Sequence, residues 1–488
     1  MILKNRSLWI SAAAALAAAA ALAGCGTESY FAGRNLPPSG LTNRVAIAIQ
    51  NASAFTKGSL QFVDAYYDVR SGFKGTPASF SINGFSGALP ITIQNMPEQQ
   101  LGAVYGSGDG SFSIINYAKE NVSQTQSGLN GPSSSIFVTR NQNYTFAASQ
   151  QAHVLTILDH VSGGSVPLSL PGVCRVSVNP GGSVALAFVQ NSNYIYYPIK
   201  LTAAQTTNLS GGTSTWPKAA VDCEPLNAPN WCLFQAQSPD HVDATGSYYG
   251  APLTFDRPIK AVFSADGGTA YVLNCGPECG GNNASITSLP IGPMIFLLGQ
   301  QSGTLPTTAK LASTNLPIPG GASNALVDTS TMYVVGQQPQ QVQGQTLFTG
   351  ALTVVNLSNY TAGNPISISD GEPGATSRMI EADDNTLWIA MSKCNLGVRA
   401  ATGEPYGCLT MYNTAKAAVT LIEPYIGDAT GIAAVTGLHK IYTAEGGQVY
   451  IFSTVDGTSI NNQFVTVTGT AYDVAYMDGL TDANNTVY

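Results

Sequence analysis

The chain has 488 residues and a formal net charge of −8, and only 10% of its residues are charged, against roughly 25% in an average soluble domain. That acidic balance argues against nucleic acid as a partner and against electrostatic docking on anionic lipid. Its 51 glycines, with abundant Ser, Thr, Asn and Gln, suit a turn-rich exported protein better than a helical cytosolic enzyme.

At the start, Lys4 and Arg6 precede an apolar run from Leu8 to Ala23 that closes on Leu22-Ala23-Gly24-Cys25. A positive head, a short apolar middle and a small-residue exit are the order of a secretory signal. The run is also short of the roughly 20 residues that a membrane span takes. The four closing residues resemble the lipobox of bacterial lipoproteins. The resemblance implies a signal peptide over residues 1–24, cleaved to leave Cys25 as the first mature residue, carrying fatty-acyl chains such as palmitate that hold the protein on a membrane of the cell envelope. An ordinary secretory signal with a chance cysteine is the alternative. Gly26 stands where an Asp often marks inner-membrane retention, which favours the outer membrane. Residues 25–43, with Pro37-Pro38 and several Gly and Ser, read as a flexible tether.

Beyond the tether no stretch carries apolar residues at helical spacing. Short runs of Val, Ile, Tyr, Phe and Thr recur instead between Gly, Asn, Asp and Pro clusters, which predicts an all-β chain. Val45 to Ile49 and Ser59 to Val63 look like middle strands with no first strand before them. Leu101 to Gly106 with Ser111 to Tyr117 form a weak copy of a unit, and Ile136 to Thr139, Tyr144 to Ala148 and Val154 to Leu158 a clear one. Val176 to Gly182 leads into Val184 to Val189 and Tyr194 to Ile199. Ile259 to Phe263 gives the plainest case, turning through Ser264-Ala265-Asp266-Gly267-Gly268 into Thr269 to Asn274 and then Ser285 to Leu289. Further copies open at Ala325, Met379 and Ile432, and Ala471 to Tyr476 opens a last one that lacks its later strands.

The turn followed by Tyr-Val resembles the YVTN-type β-propeller repeat, and the resemblance covers most of residues 100–488. It implies one all-β β-propeller domain over residues 44–488, with an insertion near 203–256. Pairing of the N- and C-terminal strands would complete a blade and leave no open edge. Counting that shared blade gives eight, with seven as the alternative because the Leu101 copy is weak. A sandwich or two smaller β domains is the competing architecture.

With Cys25 assigned to lipid, seven cysteines remain, and short separations favour Cys223 with Cys232, Cys275 with Cys279, and Cys394 with Cys408 in a disulfide-permissive compartment. Cys174 shares an alternation face with Val176 and Val178 and reads as a buried free thiol. A metal at Cys275-Gly-Pro-Glu-Cys279 lacks the usual ligand spacing. Loops between second and third strands lengthen in three consecutive units, at Cys275 to Ala284, Gly336 to Gly350 and Lys393 to Cys408. The middle one is Gln-rich and expected to be mobile. Loops on a rigid scaffold concentrate function, so this sector is the candidate interaction surface, with neutral insertion drift the alternative. In the insertion, Trp216, Trp231, Tyr248 and Tyr249 are aromatics that either line a sugar or peptide site or anchor a long loop.

Catalytic signatures are thin. His153, His160, His241 and His439 are scattered without metal-ligand spacing, and Asp383-Asp384 lacks the full spacing of a calcium loop. No catalytic residue, cofactor or metal site is assigned. The leading expectation is a monomeric, lipid-anchored binding or scaffold module whose partner is an envelope protein or a glycan. The alternative is an enzyme of the lactonase type, since similar-looking propellers include lactonases, and it needs acid and base side chains converging on the channel mouth.

Overall fold

A computed structural model describes residues 36–481, apart from 54, 69–79, 127–128, 202–219, 225–230, 237–240, 243–247, 250–252, 292–313, 343, 370–374, 395–408, 424–426, 461–464 and 466. Antiparallel sheets follow one another around a ring of eight blades. In blade 1, Thr470–Tyr476 is innermost, followed outward by Arg44–Gln50, Gly58–Asp64 and Phe80–Ser81. The innermost strands of blades 2 to 8 are Pro90–Met96, Ser135–Val138, Val173–Val178, Pro258–Phe263, Asn324–Asp328, Ala375–Ala382 and Ala429–Val435. The expected seam is present: Val45 pairs with Tyr476, Ile47 with Val474 and Ala48 with Asp473. Joining the termini in one sheet leaves the ring without an open strand edge.

Each blade has two apolar faces, so burial is complete only between neighbours. Val45, Ile47 and Ile49 point into a cluster shared with blade 8, through Ala433, Tyr442 and Ile451. The alternate residues Ala46 and Ala48 face blade 2, against Ile93, Val104 and Ile115. Further clusters join blades 2 and 3, 3 and 4, 4 and 5, and 5 and 6, while one more runs through blades 6, 7 and 8. Two-sided burial is why many strands read as near-continuous apolar runs.

Several expectations change. Blade 2, weak in the sequence, is a complete four-stranded unit whose innermost strand was missed because Gln94 and Asn95 interrupt its apolar pattern. Gln94 is a clamp: its Nε2 donates to Val138 O and its Oε1 accepts from Val138 N, both at 2.7 Å. The Gly336 to Gly350 loop is ordered β-hairpin, with Thr331–Val342 and Gln345–Asn356 paired to their tips. Within the insertion, Ala220–Glu224 and Trp231–Gln235 extend blade 4 as a pair of strands. Part of the expected tether is docked: Pro37 is buried, and Ser39 N donates to Glu120 Oε2 at 2.9 Å. Cys174 is half-buried because a bulge between Val173 and Arg175 takes it off the Val176 face. Cys25 and the signal lie outside the described residues. No helix among the described residues is long and apolar enough to cross a membrane.

Candidate functional site

Strand direction assigns every loop to one of two faces. Turns between first and second strands share one face with turns between third and fourth, and second-to-third loops share the other with the blade-to-blade connections. A cavity of about 390 Å³ opens on the second of these, at the mouth of the axial channel. Blades 2 and 3 supply Thr92, Tyr105 and Ser133 to Ser135, blade 7 supplies Arg378, Ser392 and Lys393, and Asp428, Thr430 and Tyr472 complete the rim. Eight of the thirteen described lining residues carry a hydroxyl group. Asp428 is the lone carboxylate among the described lining residues, and its Oδ1 accepts from Lys393 N at 2.7 Å.

A repeated backbone device aims these side chains. In six blades the register slips by one residue near the start of the innermost strand, leaving Tyr472, Ile91, Cys174, Ile259, Ser377 and Thr430 as the extra residues. Blades 3 and 6 make the same step with Ser134 and Ser323, whose N–H groups donate to Ala148 O and Val335 O, the residues paired with Ser135 and Asn324. Such bulges re-aim side chains and are common beside sites. The residue after each step forms one layer around the channel: in blade order Asp473, Thr92, Ser135, Arg175, Lys260, Asn324, Arg378 and Gly431.

Bonds within this layer cross between blades. Arg378 Nη2 donates to Asp473 Oδ2 at 2.7 Å, Ile93 N donates to the same oxygen at 2.7 Å, and Lys260 Nζ donates to Asn324 Oδ1 at 2.7 Å. Burial pushes the Lys260 ammonium down to about 7, helped by the nearby positive charges of Arg175 and Arg378. Burial likewise raises the Asp473 carboxyl, against the pull of Arg378. Gly431 is required where it stands, because a Cβ there would lie 2.6 Å from both Asp473 Cα and Asp473 Oδ1.

The three expected loops meet on the cavity face as far as they are described. Glu278, in the short loop closed by Cys275 and Cys279, accepts from Gln337 N of the blade 6 hairpin at 3.0 Å. Burial pushes its carboxyl up to about 7, opposed by the Gln337 bond and by the charge of Lys393. Cys223 and Cys232 are bonded directly across two strands. Cys394 is disulfide-bonded, and its expected partner Cys408 lies outside the described residues.

Of the insertion aromatics, Trp231 is a strand residue rather than a loop residue. It is only 4% exposed, packed edge-on against Tyr144 and Phe146 in the core between blades 3 and 4. Tyr248 and Tyr249 form one side of a small hairpin with His241 and Val242. Trp216 lies outside the described residues. The histidines stay apart: His160 bonds Gln126 and Thr145, and His439 bonds Asp384 at 2.8 Å. Asp383 and Asp384 tie the first turn of blade 7 to that of blade 8, Asp383 accepting from Gly437 N at 2.7 Å. No group of side chains able to hold a metal ion occurs among the described residues.

The channel layer was missed by sequence reasoning. A signal was available for five of its members, since Ser135, Arg175, Asn324, Arg378 and Gly431 directly precede the residues at which their units open in the sequence, Ile136, Val176, Ala325, Met379 and Ile432.

No protein-family model matches the chain, and no curated protein does. Solved structures match through the fold. Dihydro-heme d1 dehydrogenase NirN is 10% identical with a TM-score of 0.50, covering 91% of this chain and 79% of that one. Hydrazine synthase of Kuenenia stuttgartiensis is 12% identical, with a TM-score of 0.47 over 75% of this chain and 96% of its own. The periplasmic gluconolactonase PpgL of Pseudomonas aeruginosa is 12% identical, with a TM-score of 0.41 over 89% and 98%. At such identities the likeness concerns the fold alone.

Proposed function

We propose that this chain is a lipid-anchored propeller of the cell envelope, acting as a binding module for an envelope protein or a glycan through the face that carries the cavity. The observation that carries the reading is the hydroxyl-rich cavity at the channel mouth, beside the sector joined by Glu278 and Gln337. A second feature supports it. Arg44 begins a second strand of its blade, so the chain enters the ring on the face opposite the cavity. An anchor at Cys25 therefore leaves the cavity side turned away from the bilayer. Acyl chains would hold it there, with about 0.8 kcal/mol gained per buried methylene. Outer-membrane placement belongs to the same proposal and rests on Gly26.

A lactonase would need a base and an acid converging on the mouth. Asp428 is engaged by Lys393 N, and Asp473 is held by Ile93 N and Arg378. That arrangement favours binding over turnover.

Site-specific photo-crosslinking in the producing cell tests the reading. A probe at Gln341, exposed on the blade 6 hairpin, is expected to give a discrete adduct, and one at Ala265, exposed on the opposite face, none. Palmitate labelling should be lost in Cys25→Ser. Adducts from Ala265 alone, or turnover of a lactone panel by the purified protein, would reverse it.

A further inference from the structure

The channel layer carries more positive charge than it neutralises. Arg175, Lys260 and Arg378 project from the innermost strands of blades 4, 5 and 7, and Asp473 is the one carboxylate among the eight layer residues. Asp473 is spoken for by Arg378 and Ile93 N. Lys260, 6% exposed, has the neutral amide of Asn324 as its acceptor. Arg175 has no hydrogen-bond acceptor among the described residues, although it is enclosed by protein and keeps partial water access. Cations that repel one another across a narrow channel raise the free energy of the unliganded fold, so their presence calls for a compensating anion.

We propose that the axial channel is a binding site for a small oxyanion, a carboxylate or phosphate group, held by Arg175, Lys260 and Arg378 and admitted through the cavity that Arg378 lines. Guanidinium groups bind both chemistries through paired N–H donors. Lys260 contributes a third charge-assisted donor and takes up a proton as the anion enters, since the anion offsets the two neighbouring guanidinium charges. Gly431 leaves blade 8 without a side chain in the layer, so Arg378 reaches past it to Asp473. The site rests on the reading of the channel mouth as a binding face, and it names the chemistry that this face accepts.

Titration calorimetry of the full chain with inorganic phosphate, and separately with acetate, tests it. One saturable site for at least one probe is expected, and the probe that binds identifies phosphate or carboxylate as the preferred group. Arg175→Gln and Lys260→Met should each weaken binding roughly tenfold, the loss of one charged hydrogen bond. Without added anion Arg175→Gln should not melt below wild type, because it removes a repelling charge. In the wild type, the binding probe should raise Tm above a chloride control at equal ionic strength. Absence of saturable binding by both probes, or variants that bind as wild type does, would overturn the site. Cross-links from Gln341 without anion binding would remove the channel site and leave the docking face standing; anion binding without cross-links would do the reverse.

Discussion

Arg44 and Asp478 are 434 positions apart in the chain, and their charged ends meet at 2.6 Å with both side chains buried. Arg44 Nε donates to Asp478 Oδ2 at 3.0 Å, Arg44 N donates to the same oxygen at 2.7 Å, and Nη1 reaches Glu120 of blade 2 at 2.8 Å. The pair sits where the first described strand and the last one lie side by side. It therefore locks the seam by chemistry as well as by strand pairing.

Arg44→Met leaves two buried carboxylates without their cation, which costs about 3–5 kcal/mol. Urea unfolding should show it as a lower midpoint. Adding Asp478→Leu should recover part of the loss, because the pair is coupled; a single variant within about 1 kcal/mol of wild type would contradict the assignment.

Gly431→Ala drives a methyl group into the backbone of the neighbouring blade at Asp473. The expected cost is about 1–3 kcal/mol. Gly164→Ala is the control, since its nearest neighbour atom would stand 3.8 Å away. Equal thermal midpoints for the two variants would show that blades 1 and 8 do not approach as closely as described.

Glu278 has its folded carboxyl pushed up to about 7 by burial, from an ordinary value of 4.5. The folded state thus prefers the protonated form. Its contribution to stability is fully present below the ordinary value and is lost as pH rises through about 7. Glu278→Gln mimics the protonated group, so relative to wild type it should gain thermal stability between pH 5 and pH 8. A difference independent of pH over that window would contradict the burial of this carboxyl.

His439 is shifted in the stabilising sense for its cation, its value raised chiefly by the hydrogen bond with Asp384. That contribution is present below the unfolded value of about 6.5 and fades as pH rises through the folded one. The ring is 56% exposed, so solvent screening limits the effect to a few tenths of a kcal/mol. His439→Ala should be slightly destabilised in mild acid and indistinguishable from wild type in alkali, as read by chemical denaturation.

The repeat was legible because a blade buried on both faces needs apolar runs, as in Val45 to Ile49, and because tight turns such as Ser264 to Gly268 punctuate them. Closure was legible from the complementary defects at the two ends. Blade 2 was faint because Gln94 spends its side chain on a neighbour's backbone, which breaks the apolar pattern. Trp231 takes the anchoring alternative, buried in the core, but its place in a strand was hidden, because sequence cannot show that an inserted segment returns to the sheet. The cation layer was hidden by spacing. Arg175, Lys260 and Arg378 are separated by long and unequal stretches, and only the ring brings them to one channel.

The channel, the cavity and the two faces exist only if the ring is sealed by its two ends. Native-state hydrogen exchange measures this directly. Amides of Ala475, paired with Ala46 in the last strand, and of Met477, which donates to Arg44 O across the seam, should exchange only with global unfolding, at the same free energy as that of Val262 in blade 5. Exchange at Ala475 and Met477 with a much lower free energy than in blade 5 would mean an open seam, and would contradict the closed propeller.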